Sequence, residues 1–162
     1  MSDAAMLMAQ LRPALSRVKL RGLQPTFIVA TRMNYSKGKE VVGCRYVLSP
    51  VGGGRSQLLE LHTRPAKAAP APPRLLQRLT TIEQGETLFY SHRSVTWKGV
   101  TYTALTWGTL RYEMSISAKK GSLPYVRYIN RKSGDQLQLE NLGRDWSLYG
   151  LQEIRPEDIS LA

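Results

Sequence analysis

The sequence predicts a mainly β protein: a small antiparallel β-barrel or sandwich with a short helix at its N-terminus. Runs rich in β-branched and aromatic residues recur along the chain, and turns containing glycine or proline separate them at short intervals. No apolar run approaches the roughly 20 residues that a membrane-spanning helix needs. With 162 residues, the chain can bury a core without disulfides, in one domain or two very small ones.

Residues 1–24 form the predicted N-terminal helical segment. Residues 4–12 favour helix after a cap at Ser2 or Asp3, and Pro13 suits the first turn of a second short helix. The apolar stretch is too short for a secretory signal and follows an acid, so we expect it to belong to the fold. The residues that would pack from one helical face are Leu7, Leu11, Leu15 and Val18.

Residues 25–63 form a predicted basic β-meander of three strands. The strand-like runs are "TFIVAT", "EVVGCRYVL" and "QLLELHT", and the turns between them are "MNYSKGK" and "SPVGGGRS". Both turns carry basic residues, and the first places Tyr35 at a loop tip. Tyr46 lies in the middle of the second strand, which favours a core position.

Residues 64–74, "RPAKAAPAPPR", form a predicted linker or long exposed loop, because proline cannot donate to a β-ladder and favours polyproline II. Residues 75–162 form a predicted aromatic-rich β body that makes one compact domain with residues 25–63. At the start of this body, "LLQRLTTI" fits a helical turn or a strand equally well, and "ETLFYSH" is a strand candidate.

Two hairpins are predicted within the body. In "SVTWKGVTYT" a two-residue Lys-Gly turn would pair Trp97 with Val100 and Val95 with Tyr102, all on one face. Further along, "LPYVRYIN" and "QLQLENL" would pair across "RKSGD". The C-terminal "RPEDISLA" predicts one helical turn opened by Pro156.

Residues 109–117, "TLRYEMSIS", alternate as a half-buried strand does. Arg111 and Glu113 lie on the side predicted to face solvent, together with Ser115 and Ser117. The predicted inward side carries Leu110, Tyr112, Met114 and Ile116.

Positive charge is concentrated in the first half of the chain. The net charge is +11, and residues 1–82 hold 13 Lys or Arg against 3 acids, whereas residues 83–162 hold 10 against 9. Aromatic residues show the opposite distribution, with three before residue 75 and ten after it. A chain this basic usually meets an acidic partner, such as nucleic acid, an anionic membrane or an acidic protein.

Motifs for catalysis, metals and cofactors are missing from the sequence. "VGGGRS" lacks the Gly-Lys-Ser/Thr ending of a phosphate-binding loop, and no GxSxG motif occurs. His62 and His92 are the only histidines and stand thirty residues apart, so no metal-ligand spacing exists. Cys44 is the only cysteine, which fits a buried thiol in the cytoplasm or another reducing compartment. We therefore expect no enzymatic activity, no metal and no cofactor.

The basic turns predict a non-enzymatic nucleic-acid-binding protein that contacts the phosphate backbone through its loops. DNA or RNA, single or double strands, and the oligomeric state stay open. Further basic residues occur in the turn at Arg131 and Lys132. The predicted interface consists of Arg32, Tyr35, Lys37, Lys39, Arg45, Arg55, Lys119 and Lys120.

The alternative is a structural or adaptor subunit of a virion, a ribonucleoprotein or an assembly factor. In that case the N-terminal helix would dock a protein partner, and exposed Met6, Leu7, Met8 and Leu11 would favour it. Membrane attachment is not expected, because the apolar face of the helix is short and lacks aromatic anchors.

Overall fold

The structure, a computed structural model, describes residues 3–63, 72–81, 89–90, 93–143 and 145–162. Within these residues the chain is mainly antiparallel β with one short helix, as predicted. Closure into a barrel or a sandwich stays a prediction. The elements are α1 (Asp3–Gln10), β1 (Arg17–Leu20), β2 (Thr26–Lys37), β3 (Glu40–Pro50), β4 (Gln57–His62), β5 (Arg74–Thr81), β6 (Phe89–Tyr90), β7 (Ser94–Trp97), β8 (Val100–Met114), β9 (Lys120–Ile129), β10 (Gln136–Asn141), β11 (Trp146–Glu153), a 3-10 turn (Pro156–Asp158) and β12 (Ile159–Leu161).

The chain divides into two compact units. Unit 1 comprises Met1–Leu75, Tyr112–Gly121 and Glu153–Ala162, and unit 2 comprises Leu76–Arg111 and Ser122–Gln152. The predicted N-terminal segment and basic meander thus lie in unit 1, and most of the predicted aromatic-rich body lies in unit 2. Of the predicted linker, residues 64–71 lie outside the described residues.

In unit 1 the antiparallel strand order is β12, β1, β2, β3, β4, which confirms the predicted meander of β2, β3 and β4. The predicted loop "MNYSKGK" is wrong in extent, because β2 continues to Lys37 and only Gly38 and Lys39 form the turn. Tyr35 therefore lies within a strand, opposite Gly43, and not at a loop tip. A two-residue loop with glycine first is enough to reverse the chain here.

The predicted second N-terminal helix is wrong, because residues 13–15 form a turn and strand β1 follows. In β1, Val18 and Leu20 point inward whereas Arg17 and Lys19 point outward, which is the period of a strand. The backbone of β1 pairs with β2 on one side and with β12 on the other. These tertiary ladders override the helical spacing of the leucines.

Helix α1 packs on the core of unit 1. Ala4, Leu7 and Met8 contact that core, and Leu11, just after the helix, is fully buried. Met6 is the exposed member of the helix face proposed for docking, with 48% of its surface accessible. The core residues of unit 1 are Leu11, Val18, Leu20, Phe27, Val29, Cys44, Tyr46, Leu48, Leu59, Leu61, Leu75 and Ile159.

In unit 2 the strand order is β5, β11, β10, β9, β8, β7, β6. The first predicted hairpin is confirmed, because Trp97 pairs with Val100 and Val95 with Tyr102. Val100 is exposed, so only three of these four side chains share the buried face. Both turn residues have positive φ, as a type I′ turn requires. The core residues of unit 2 are Val95, Trp97, Tyr102, Val126, Tyr128, Leu137, Leu139 and Leu148.

The remaining predictions have mixed outcomes. The second hairpin is confirmed as β9 and β10, and the C-terminal turn as the 3-10 turn at Pro156. The ambiguous "LLQRLTTI" is strand, within β5. Ile116 is exposed because β8 ends at Met114 and a turn follows, so its predicted inward position is wrong. Of "ETLFYSH", only Phe89 and Tyr90 fall among the described residues, and they form β6.

Candidate nucleic-acid interface

The tip of the β2–β3 hairpin presents two lysines to solvent. Lys37 is the last residue of β2 and pairs with Glu40, and Lys39 follows Gly38 in the two-residue turn. Gly38 has a φ of 64°, and Lys39 has no positive φ, which is the pattern of a type II′ turn. Both lysines are exposed. Although Glu40 is the strand neighbour of Lys37, no ion pair joins them among the residues that the structure describes.

A second basic tip in unit 1 lies at residues 115–120. The Ser115 N–H donates to the Arg32 carbonyl at 3.0 Å, which places this turn beside β2. Within the turn, the Ala118 N–H bonds the Met114 carbonyl and the Met114 N–H bonds the Lys119 carbonyl. Lys119 and the adjoining lysine at position 120 are both exposed. The backbone of this tip is therefore fixed by hydrogen bonds while its two ammonium groups remain in water.

Arg55 lies in the turn between β3 and β4, at the end of the β2–β3 hairpin that is distant from Lys37 and Lys39. Phe27 pairs with Pro50 there, and the Val51 N–H donates to the Thr26 carbonyl at 2.8 Å before the exposed turn that holds Arg55. From Phe27 to Lys37, β2 advances by ten residue steps, or about 33 Å at the usual rise of a strand. Arg55 and the hairpin-tip lysines therefore do not form one compact patch.

Arg32 is half-buried and stabilises the end of helix α1. Its Nη1 donates to the Met8 carbonyl at 3.0 Å, and its Nε donates to Asn34 Oδ1 at 2.6 Å. The last carbonyls of a helix have no partner within the helix, so a cation there satisfies an acceptor and complements the helix dipole. The guanidinium also lies 5.6 Å from the centre of the Tyr46 ring. These contacts give Arg32 a structural role in unit 1.

Arg45 and Tyr35 are buried around Glu60, which corrects their predicted place at the interface. One carboxylate oxygen of Glu60 accepts from Arg45 Nε at 2.9 Å, from Arg45 Nη2 at 2.5 Å and from the Tyr35 hydroxyl at 2.6 Å. The Tyr35 ring stacks on His62 with centroids 6.0 Å apart. Arg45 faces Glu60 across the β3–β4 ladder, so the strand register creates this pair. Neither residue can reach a phosphate or a base from this position.

The Glu60 carboxylate of this cluster is stabilised in its charged form by its neighbours. Burial by itself would raise the pKa of Glu60, but the Arg45 guanidinium, together with His62 and Tyr35, holds that pKa well below its usual range. His62 Nε2 lies 3.6 Å from the other Glu60 oxygen and has no hydrogen-bond partner within the described part of the chain. Within the cluster, the Arg45 guanidinium and the Glu60 carboxylate therefore offset each other's charge.

Tyr46 is also buried and cannot stack on a base. Its hydroxyl donates to the Met8 carbonyl at 3.4 Å, close to Arg32. Burial raises the pKa of the neighbouring Cys44 thiol to about 11, so the thiol is protonated at neutral pH. Both outcomes agree with the core positions that the sequence favours for Tyr46 and Cys44.

Sequence reasoning missed an exposed tryptophan in unit 2. Trp107 lies on β8 with 64% of its surface accessible, whereas Trp97 is 8% accessible and belongs to the core. The signal was present, because Trp107 stands four residues before Arg111 and so shares its outward side of the strand. The concentration of aromatic residues in this half of the chain predicts a packed β body and does not distinguish an exposed ring from a buried one.

Trp107 borders one of two adjoining clefts. A cleft of about 560 Å³ is lined by Arg93, Thr103, Ala104, Trp107 and Arg131. The other, of about 470 Å³, shares Thr103 and Arg131 with the first and is lined further by Gly99, Val100, Thr101, Ile129, Asn130 and Lys132. The two clefts thus bring one ring face and three cationic side chains onto one surface of unit 2.

The chain matches no family model, no curated protein and no solved structure. Within the described ranges, no cluster of three or more His, Cys, Asp or Glu residues could hold a metal ion. Helix α1, the one α-helix in those ranges, is too short to cross a membrane.

Proposed function

We propose that this protein binds nucleic acid without catalysis, by phosphate contacts from exposed lysines at two turns of unit 1. The observation that supports the proposal is that Lys37, Lys39, Lys119 and Lys120 are all exposed, and none has an ion-pair partner in the described part of the chain. An exposed cation without a carboxylate partner can neutralise a phosphate. Each phosphate neutralised releases cations condensed on the nucleic acid, and this release drives binding.

Arg55 extends the proposed surface. Three other residues of the predicted interface are excluded from it. Arg32 is engaged by helix α1, and Arg45 and Tyr35 are buried beside Glu60. The distance of about 33 Å along β2 corresponds to about ten phosphates of one B-form strand, at 3.4 Å each. An elongated polyanion is therefore a better match than a small anionic ligand.

The alternative, an adaptor that docks a protein through its N-terminal helix, has less support. Three of the four apolar residues that would have to be exposed pack on the core of unit 1 or lie within it, namely Leu7, Met8 and Leu11. Met6 alone offers little apolar surface for a partner.

Charge reversal at the hairpin tip tests the proposal. In Lys37→Glu/Lys39→Glu, affinity for an oligonucleotide measured by fluorescence anisotropy should fall at least about tenfold, equally for unrelated sequences. The log–log salt slope should become shallower by about 0.7 to 0.9 for each phosphate that the variant no longer neutralises.

The matched control reverses two other exposed cations, Arg12 and Arg78, and therefore changes the net charge by the same amount. If the control weakens binding as much as the hairpin-tip variant, net charge explains the binding and the turn does not. If the wild-type protein binds no oligonucleotide, the proposed function is wrong.

A further inference from the structure

The outward side of β8 in unit 2 carries the exposed ring of Trp107. Trp107 belongs to neither hydrophobic core, and its strand neighbour on the same side, Leu105, is 46% accessible. The two clefts described above extend from this side of β8 toward the turn that follows β9. A large exposed ring beside open, partly apolar clefts is a common feature of a binding surface.

Two of the three cations at these clefts, Arg131 and Lys132, are held on a turn that hydrogen bonds close. Asn130 Oδ1 accepts from the N–H groups of Lys132 and Ser133, at 2.9 and 3.1 Å. The Asn130 N–H donates to the Asp135 carbonyl, and the Asn130 carbonyl accepts from the Gly134 N–H. Arg131 and Lys132 project from this closed turn into solvent, so little backbone ordering is needed when they meet a ligand.

Cationic side chains line both of these clefts. Arg93 and Arg131 line the cleft that includes the tryptophan, and Lys132 lines the adjoining one. Asp135 is the one acid in the sequence of that turn. Burial is the main cause that raises the pKa of Tyr102, and the charge of Asp135 raises it further. Among the described residues that line the two clefts there are three cations and no acid, which favours an anionic ligand.

We propose that this surface binds single-stranded nucleic acid, with a base stacked on Trp107 and flanking phosphates contacted by Arg93, Arg131 and Lys132. Base stacking on aromatic side chains combined with backbone-tracking cations is the recognised mode for single strands. A duplex keeps its base faces inside the helix, so it would gain the phosphate contacts and not the stacking. The proposal rests on the proposed function for the class of ligand, and it adds strandedness and a second contact surface.

Fluorescence titrations with three probes test this surface. The probes are a short oligothymidylate, an abasic oligonucleotide of equal length, and the oligothymidylate paired with its complement. Oligothymidylate should quench the tryptophan fluorescence, because Trp107 is the most exposed tryptophan among the described residues and stacking on a base quenches it. Trp107→Ala should abolish most of that quenching and weaken oligothymidylate binding about tenfold, while binding of the abasic strand and the duplex changes less than about twofold.

Two further variants complete the design. Trp107→Phe keeps a ring and should retain most of the affinity for oligothymidylate. Arg131→Glu/Lys132→Glu should weaken all three probes, because each of them carries phosphates. Circular dichroism should show the wild-type fold in every variant, since the substituted residues Trp107, Arg131 and Lys132 are all exposed.

The outcomes separate this inference from the proposed function. If Trp107→Ala leaves oligothymidylate binding and quenching unchanged while Lys37→Glu/Lys39→Glu weakens it, the stacking surface is wrong and the proposed function stands. If no probe binds the wild-type protein, both proposals are wrong. If Trp107→Ala weakens the abasic strand as much as oligothymidylate, the ring contributes only to general docking, as it would toward an acidic protein, and the stacking proposal is overturned.

Discussion

At the scale of single residues, Glu60 best shows how a charged side chain is kept inside unit 1. The carboxylate is buried, and one of its oxygens accepts hydrogen bonds from Arg45 and Tyr35. Taking both charges out of water is costly, and the short charge-assisted bonds offset much of that cost. The pair therefore adds little net stability, although it places both charges opposite each other across β3 and β4.

Removal of one partner should destabilise unit 1 strongly. We expect Glu60→Gln to lower the free energy of unfolding by about 3–5 kcal/mol, because the substitution removes the carboxylate charge that faces the buried Arg45 guanidinium. Replacement of both partners, Arg45→Met/Glu60→Leu, should cost far less, since no charge remains buried. Urea unfolding followed by circular dichroism measures both values, and equal losses in the two variants would contradict the role of the pair.

The same pair should make stability fall in acid. The pKa of Glu60 is held below its usual range in the folded protein, whereas the unfolded chain takes up the proton near pH 4.3. Its contribution is therefore complete above about pH 4.3 and is lost as the pH falls toward the lower, folded pKa. Between about pH 4 and pH 3, the wild-type free energy of unfolding should fall more steeply than that of Arg45→Met/Glu60→Leu. The extra slope can reach about 1.4 kcal/mol per pH unit, and parallel curves would rule the effect out.

At the scale of elements, the β2–β3 hairpin determines both the buried cluster and the exposed tip. Gly43 in β3 lies opposite Tyr35 on one neighbouring strand and His62 on the other. A Cβ atom at this position would lie 2.7 Å from the Leu61 carbonyl oxygen and 3.0 Å from His62 Nδ1. The absence of a side chain therefore lets β4 approach closely enough for the cluster to form.

Gly43→Ala should consequently lower the free energy of unfolding by about 1–3 kcal/mol, as overpacking of a close contact does. Gly108→Ala in β8 is the matched control, because its Cβ would lie at an ordinary 3.6 Å from the Tyr125 ring. That substitution should be neutral or slightly stabilising. Thermal unfolding of the two variants provides the comparison, and an unchanged Gly43→Ala protein would mean that the strands separate without penalty.

The elements that the sequence predicts correctly are the ones built from local signals. The Lys98 turn and the β9–β10 hairpin depend on a few adjacent residues, and both occur with the predicted partners. The second N-terminal helix failed because pairing of β1 with β12 joins residues far apart in the sequence. Burial of Arg45 beside Glu60 depends on the register of β4 against β3, which the predicted turn between the two strands does not specify.

At the scale of the whole molecule, the basic residues predicted for the interface do not form one compact patch among the described residues. The predicted site residues separate into the hairpin tip, the turn at Lys119, the distant turn at Arg55 and three residues with structural contacts. The sequence predicted correctly that cations would be exposed at turns. It could not predict which cations would be neutralised in the interior, because that depends on tertiary pairing with Glu60 and helix α1.

The salt dependence of oligonucleotide binding by the wild-type protein tests the proposed phosphate contacts most directly. Four lysines that each neutralise one phosphate predict a log–log slope of about −3, at about −0.7 per contact for a single strand. The dissociation constant should therefore rise by nearly two orders of magnitude between about 50 and 200 mM salt. A slope near zero, or binding that persists unchanged at the higher salt concentration, would contradict phosphate recognition by these lysines.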